Sequence, residues 1–124
     1  RYLKFNQYWL NLRRLVLIYE YRVYEAMPGK LEELHSRFRD NTLKLFEKHG
    51  FKNIGYWIAD VGEANDRLIY ILAFENAGHR EKAWRAFSSD PEWHSVVAES
   101  EASGKLVKRV WNSTLLPTDY SPLQ

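Results

Sequence analysis

Glu20 and Arg22, an acid and a base two residues apart in "IYEYRVYEAMPGK", are the side chains of this 124-residue sequence best suited to chemistry. In an extended segment, residues i and i+2 share one side. Glu20, Arg22 and Tyr24 therefore lie together, and Tyr19, Tyr21 and Val23 lie opposite. An arginine can hold an acidic group, and a carboxylate or phenol beside it can move a proton. The same pair can serve structure instead, as a partly buried ion pair that fixes strand pairing or dimer register. Perturbed charges mark functional sites only statistically, so the structural reading carries the greater weight. Tyr70, Arg109 and Trp111 on later strands complete the candidate cluster, either a ligand pocket or a polar patch at a dimer interface.

Other chemistries find less support. His35, His49, His79 and His94 form no i, i+4 pair and no HExxH or facial-triad pattern, so no metal site is expected. His79, at the start of a helix, is the best placed of the four to meet a haem iron, and the preferred reading is that His79 and Arg80 simply decorate that helix start. No serine–histidine–acid constellation stands out, and the six glycines form no phosphate loop. With no cysteine, disulfides, thiolate metal sites and cysteine nucleophiles are excluded. No catalytic residue and no cofactor is assigned.

The elements that must position Glu20 and Arg22 follow from periodicity. Leu17–Glu25 alternates and is rich in β-formers. Pro28-Gly29 turns the chain into a long helix whose buried face carries Leu31, Leu34, Phe38, Thr42 and Leu45, and Gly50 ends it. Lys52–Asp60 is a strand with both parities apolar. A loop over residues 62–66 joins it to the strand Arg67–Glu75. His79–Phe87 is a short helix. Asp90-Pro91, an acid at the N-cap and proline at N1, starts a second helical piece reaching about Ala102. Trp93 is expected to lock the kink between the two pieces, and Leu106–Leu115 is the last strand.

The order βαββαβ is the ferredoxin-like unit: an α+β fold with a four-stranded antiparallel sheet and its helices on one face. Because the second and third strands are apolar on both faces, the uncovered face needs a partner. A second copy is the simplest cover, giving a two-fold homodimer, a dimeric α/β barrel, or a higher oligomer. Tyr19, Tyr21 and Val23 look suited to the helices. On that reading Glu20 and Arg22 point between the two sheets, too far apart along the strand to pair with each other, and Arg109 is a candidate partner for Glu20.

The first fifteen residues differ from the rest. They are basic and acid-free, with Tyr2, Phe5, Trp9, Leu12 and Val16 at helical spacing. An organelle-targeting segment and a natural start near Val16 are alternatives, and the favoured expectation is an extension helix over residues 1–15, used in association, ahead of a domain over residues 16–124. Without Arg1, Lys4, Arg13 and Arg14, 14 bases remain against 16 acids, so the body lacks the basic stripe of a nucleic-acid binder. The apolar runs fall short of the ~20 residues that span a membrane, so a soluble chain is expected.

"YEYRVYEAMPGKLEEL", "GYWIADVGEAND", "AFENAGHREKAW", "DPEW" and "LLPTDYSPL", in this order, resemble the NIPSNAP family over about residues 16–123. The resemblance implies a dimeric α+β barrel and no secured catalytic activity. Eukaryotic members of the family look mitochondrial and are associated with mitophagy signalling and protein trafficking. The third strand departs from the family pattern: where His-x-Trp is expected, this chain has Tyr70 and Leu72. Two readings follow. One is an interaction or small-ligand module that binds itself and a small acidic or apolar ligand, in the cytoplasm, or in mitochondria if eukaryotic. The other, by analogy of fold, is a cofactor-independent or haem-related monooxygenase or isomerase acting in a cavity between sheet and helices.

Overall fold

The computed structural model describes residues 16–124. The extension helix expected over residues 1–15 lies outside them. In chain order the elements are β1 (Ile18–Ala26), α1 (Leu31–Arg37), a π-helical turn (Phe38–Thr42) and α2 (Leu43–Lys48). They continue with β2 (Lys52–Trp57), β3 (Arg67–Phe74), α3 (Ala77–Ser88), α4 (Pro91–Ser100) and β4 (Val107–Leu115). The four strands form one antiparallel sheet in the order β2-β3-β1-β4. This is the expected ferredoxin-like arrangement, and it makes β1 a central strand.

The first long helix is interrupted. Its residues fall into α1 and α2, separated by the π-helical turn, where the Thr42 hydroxyl donates to the carbonyl of Arg37 at 3.3 Å. One extra residue in the turn widens it. Arg37, Phe38, Thr42, Leu45 and Phe46 are all buried. Gly50, at a φ of 85°, then closes α2 in the left-handed region that other residues enter at a cost.

The helices pack on the face of the sheet formed by Leu68, Tyr70, Leu72 and Phe74 of β3. The core there is aromatic. Phe46 stacks on Phe51 with ring centroids 4.5 Å apart, and Phe38 meets Tyr70 edge-on at 5.2 Å. Burying each such ring contributes about 1.5–3 kcal/mol. Trp93 lies 4.6 Å from Phe87, pinning the junction of α3 and α4 as expected.

The face assignment of β1 is corrected. Arg22 is opposite Tyr70 and Glu20 is opposite Leu72, so Glu20, Arg22 and Tyr24 share the helix side of the sheet. Tyr19, Tyr21 and Val23 belong to the other face. Among the described residues that face has no helix layer, and it leaves Tyr21 at 36 %, Trp57 at 49 %, Trp111 at 37 % and Leu115 at 45 % exposure. The C-terminal tail returns to this side, where the Tyr19 hydroxyl donates to the Gln124 carbonyl at 2.6 Å.

Candidate functional site

A fully buried carboxylate needs compensation from every direction, and Glu20 has it. Its Oε1 accepts from Arg80 Nε and Trp84 Nε1, both at 2.8 Å. Its Oε2 accepts from Arg22 Nη1 at 2.8 Å, Arg80 Nη2 at 3.0 Å and Asn112 Nδ2 at 3.1 Å. Three elements supply these donors. Arg80 and Trp84 stand four residues apart on α3, one turn of a single helix face. Asn112 comes from β4, where it is the register partner of Arg22.

Burial alone would raise the Glu20 carboxyl. The hydrogen bonds from Arg80 and Trp84, with the charge of Arg22, outweigh it and lower the pKa to about 2. Glu20 is therefore an anion at neutral pH and a poor general base.

Arg22 lies over the Trp84 ring, 4.5 Å from its centroid, and joins Glu20 to a pair of phenols. Its Nε donates to the Tyr70 hydroxyl at 2.8 Å and its Nη2 to the Tyr24 hydroxyl at 3.2 Å. Tyr70 in turn donates to Tyr24 at 3.0 Å. Burial raises the Tyr70 phenol well above its ordinary value, with Tyr24 adding to the effect and Arg22 only partly offsetting it. Tyr70 stays protonated and does not act as a base.

The structure thus brings four of the six expected residues together: Glu20, Arg22, Tyr24 and Tyr70. Arg109 and Trp111 are not among them. They lie on the opposite face of the sheet, where the Arg109 and Arg67 guanidinium carbons stand 5.2 Å and 4.9 Å from the centroid of the Trp111 ring. Arg109 is consequently no partner of Glu20. The expectation that Glu20 and Arg22 are too far apart to pair is also corrected, because the long arginine side chain reaches back to a 2.8 Å contact.

Arg80, Trp84 and Asn112 escaped the sequence reading. The Arg-x-x-x-Trp spacing on one helix face was the available signal: two long side chains with N–H donors aimed at one spot. No strand-parity argument reveals which spot.

Among the described residues, no group of three His, Cys, Asp or Glu converges to hold a metal ion. The His79 backbone N–H is capped by the Asn76 side chain at 2.8 Å, while His79 Nδ1 accepts from the Glu75 N–H at 3.0 Å. That is a reciprocal cap on α3. Asp90 caps α4 by accepting from the Glu92 N–H at 2.8 Å. Its carboxylate also meets Lys48 Nζ at 2.8 Å and His49 Nε2 at 2.7 Å. These contacts hold the Asp90 carboxyl far below the usual range, Lys48 contributing most.

Three clefts open elsewhere. One of about 420 Å³ lies between α1 and α4, walled by Arg37, Asp40, Glu99 and Ser100. Two of about 220 and 210 Å³ lie on the helix-free face, beside Tyr21 and Arg67 and beneath the tail at Leu115 and Leu123. None of these three is walled by Arg22, Tyr70 or Arg109.

A family model described as NIPSNAP matches residues 19–122. The mouse protein NipSnap homolog 3B is 33% identical over 75 residues, which is 60% of this chain and 30% of that protein. Human NipSnap homolog 3A is 30% identical over 77 residues, 62% of this chain and 30% of that protein. The chain spans under a third of the length of these curated relatives. A crystal structure of a NIPSNAP family protein from Agrobacterium tumefaciens superposes with a TM-score of 0.76 at 26% identity, covering 87% of this chain and 99% of that one. A Chloroflexus aurantiacus protein, assigned by name to the antibiotic biosynthesis monooxygenases, reaches a TM-score of 0.54 at 12% identity over 87% of this chain and 99% of that one. At that identity the likeness is one of fold alone.

Proposed function

Because the chain belongs to the NIPSNAP family, we propose that it is an association module: a homodimer built on the helix-free face of its sheet, with no catalysis of its own. One observation carries this reading. Tyr21, Trp57, Trp111 and Leu115 stand between 36 % and 49 % exposed on a single sheet face that no helix covers among the described residues. A contiguous apolar patch of that kind is costly to leave in water and is commonly an interaction site. The two-fold pairing of identical faces is the simplest way to cover it.

The polar cluster supports the same reading. Glu20 spends both oxygens on five donors, and Arg22 is tied to the same acid, so the pair works as a strut between β1 and α3. An oxygenase or isomerase with Arg22, Tyr70 and Arg109 in one cavity would need those residues on one face, and Arg109 is on the other. The proposed compartment is the cytoplasm, or the mitochondrion for a eukaryotic chain.

Light scattering coupled to size exclusion tests the association. A dimer is expected at micromolar concentration, and Trp57→Glu and Trp111→Glu should each shift it to a monomer with an unchanged circular dichroism spectrum. A native chain that runs as a stable monomer overturns the reading.

A further inference from the structure

We infer that Arg22 and Tyr24 form a recognition site for the carboxylate of a small organic acid, entered along the uncovered helix-side strip of β4. The inference starts from an asymmetry within one cluster. The acid is saturated and the base is not. Glu20 accepts five hydrogen bonds, whereas Arg22 uses three of the five N–H groups a guanidinium carries. One N–H on Nη1 and one on Nη2 have no acceptor among the described residues.

Tyr24 adds a third donor. Its hydroxyl oxygen already accepts from Arg22 Nη2 and from Tyr70, so its own proton must point elsewhere, and no acceptor for it exists among the described residues. The spare N–H of Nη2 and the spare O–H of Tyr24 start from atoms 3.2 Å apart. Two donors that start that close can each serve one oxygen of a single carboxylate.

Charge and access agree with this. Glu20 neutralises one of the two arginines that contact it, so Arg22 and Arg80 together leave one positive charge in a largely buried setting. A monoanion balances it. A dianion would overshoot beside the Glu20 carboxylate. The Arg22 side chain keeps 13% exposure and that of Arg80 keeps 28%. Among the described residues the helix layer does not extend over β4, whose residues from Lys108 to Leu115 are all exposed. Asn112 and Val110 stand directly beside Arg22 and Tyr24 in the register. Val110 and the half-buried rings of Tyr24 and Trp84 offer apolar contact to the body of the acid. Stacking on Trp84 and the bond to Glu20 hold the guanidinium in place, so binding costs little ordering of the protein.

The site lies on the opposite sheet face from the proposed association surface, so the two can fail separately. Two-dimensional 1H–15N NMR of the full chain follows the Arg22 Nε–H and Trp84 indole N–H resonances during titration with benzoate, benzamide and phenyl phosphate. Benzoate should produce a saturable shift of both. Benzamide, isosteric and neutral, should produce none, and phenyl phosphate should bind more weakly. Tyr24→Phe removes the phenolic donor from a retained ring and should weaken benzoate by about tenfold. Val110→Asp, at an exposed strand position outside the network, should abolish the shift by placing a like charge at the entrance. No benzoate shift, an equal shift with benzamide, tighter binding of phenyl phosphate, or an unchanged affinity in Tyr24→Phe would each overturn the assignment. Diffusion measured on the same samples reports association independently. A monomer that still binds benzoate would sink the association surface and support this site.

Discussion

The Trp84 indole donates to Oε1 of Glu20 at 2.8 Å, joining a helix residue to a strand residue 64 positions earlier. With Arg80 one helical turn before it, this contact fixes α3 across the middle of the sheet and turns a buried charge into a positioning device. Such a network is costly when half-made, since each lost donor strands part of a desolvated carboxylate.

Arg80→Met should therefore lower the unfolding free energy by about 1.5–3 kcal/mol, the range for hydrogen bonds to a charged group. Glu20→Gln should be destabilising as well. The double variant should cost less than the sum of the two singles, because each single already breaks the shared contact. Urea denaturation of the four proteins measures the cycle. Strictly additive costs would mean that the contact contributes nothing to stability.

Acid should unfold the protein in a defined window. The Glu20 pKa falls from 4.5 unfolded to about 2 folded, so its contribution is complete above about pH 4.5 and is lost as pH drops through 2. The size of that contribution is roughly 3 kcal/mol. Asp90, also depressed, acts in the same direction. Stability measured from pH 6 downward should fall steeply below about 4.5, and Glu20→Gln should flatten the slope. A variant with the native slope would place the acid sensitivity elsewhere.

His79 should act as a cap and not as a haem ligand. Its Nδ1 accepts from the Glu75 N–H, which leaves the ring proton on Nε2, so iron coordination through Nε2 would move the proton to Nδ1 and break the cap at the start of α3. His79→Ala should cost on the order of 1 kcal/mol of stability. Titration of the native chain with haemin should give no sharp Soret band that the variant abolishes. Such a band would promote the enzyme reading.

The sequence by itself determined the order of the elements and the architecture. Alternation in residues 17–25 and 67–75, the apolar spacing through Leu34, Phe38 and Leu45, and the cap at Asp90-Pro91 are local signals. Each acts within a turn or a strand length, so it is legible without the fold. The resemblance to the NIPSNAP family was legible in the same way, from five short blocks in order. The π-helical turn was not, because one added residue in a helix leaves the apolar spacing almost unchanged.

Only the tertiary structure decided which face of β1 meets the helices. Parity places Glu20, Arg22 and Tyr24 on one side, but it does not say which side is covered. Hydrophobicity favoured burying Tyr19, Tyr21 and Val23 beneath the helices. The fold does the reverse, because Arg80, Trp84 and Asn112 meet the desolvation cost of Glu20, and these donors come from 60, 64 and 92 positions away. The position of Arg109 was hidden for a related reason. The pairing of Arg109 with Glu25 and of Trp111 with Val23 places both side chains on the helix-free face. A charge in a strand is read correctly only when its partners are known, and long-range partners are what folding supplies.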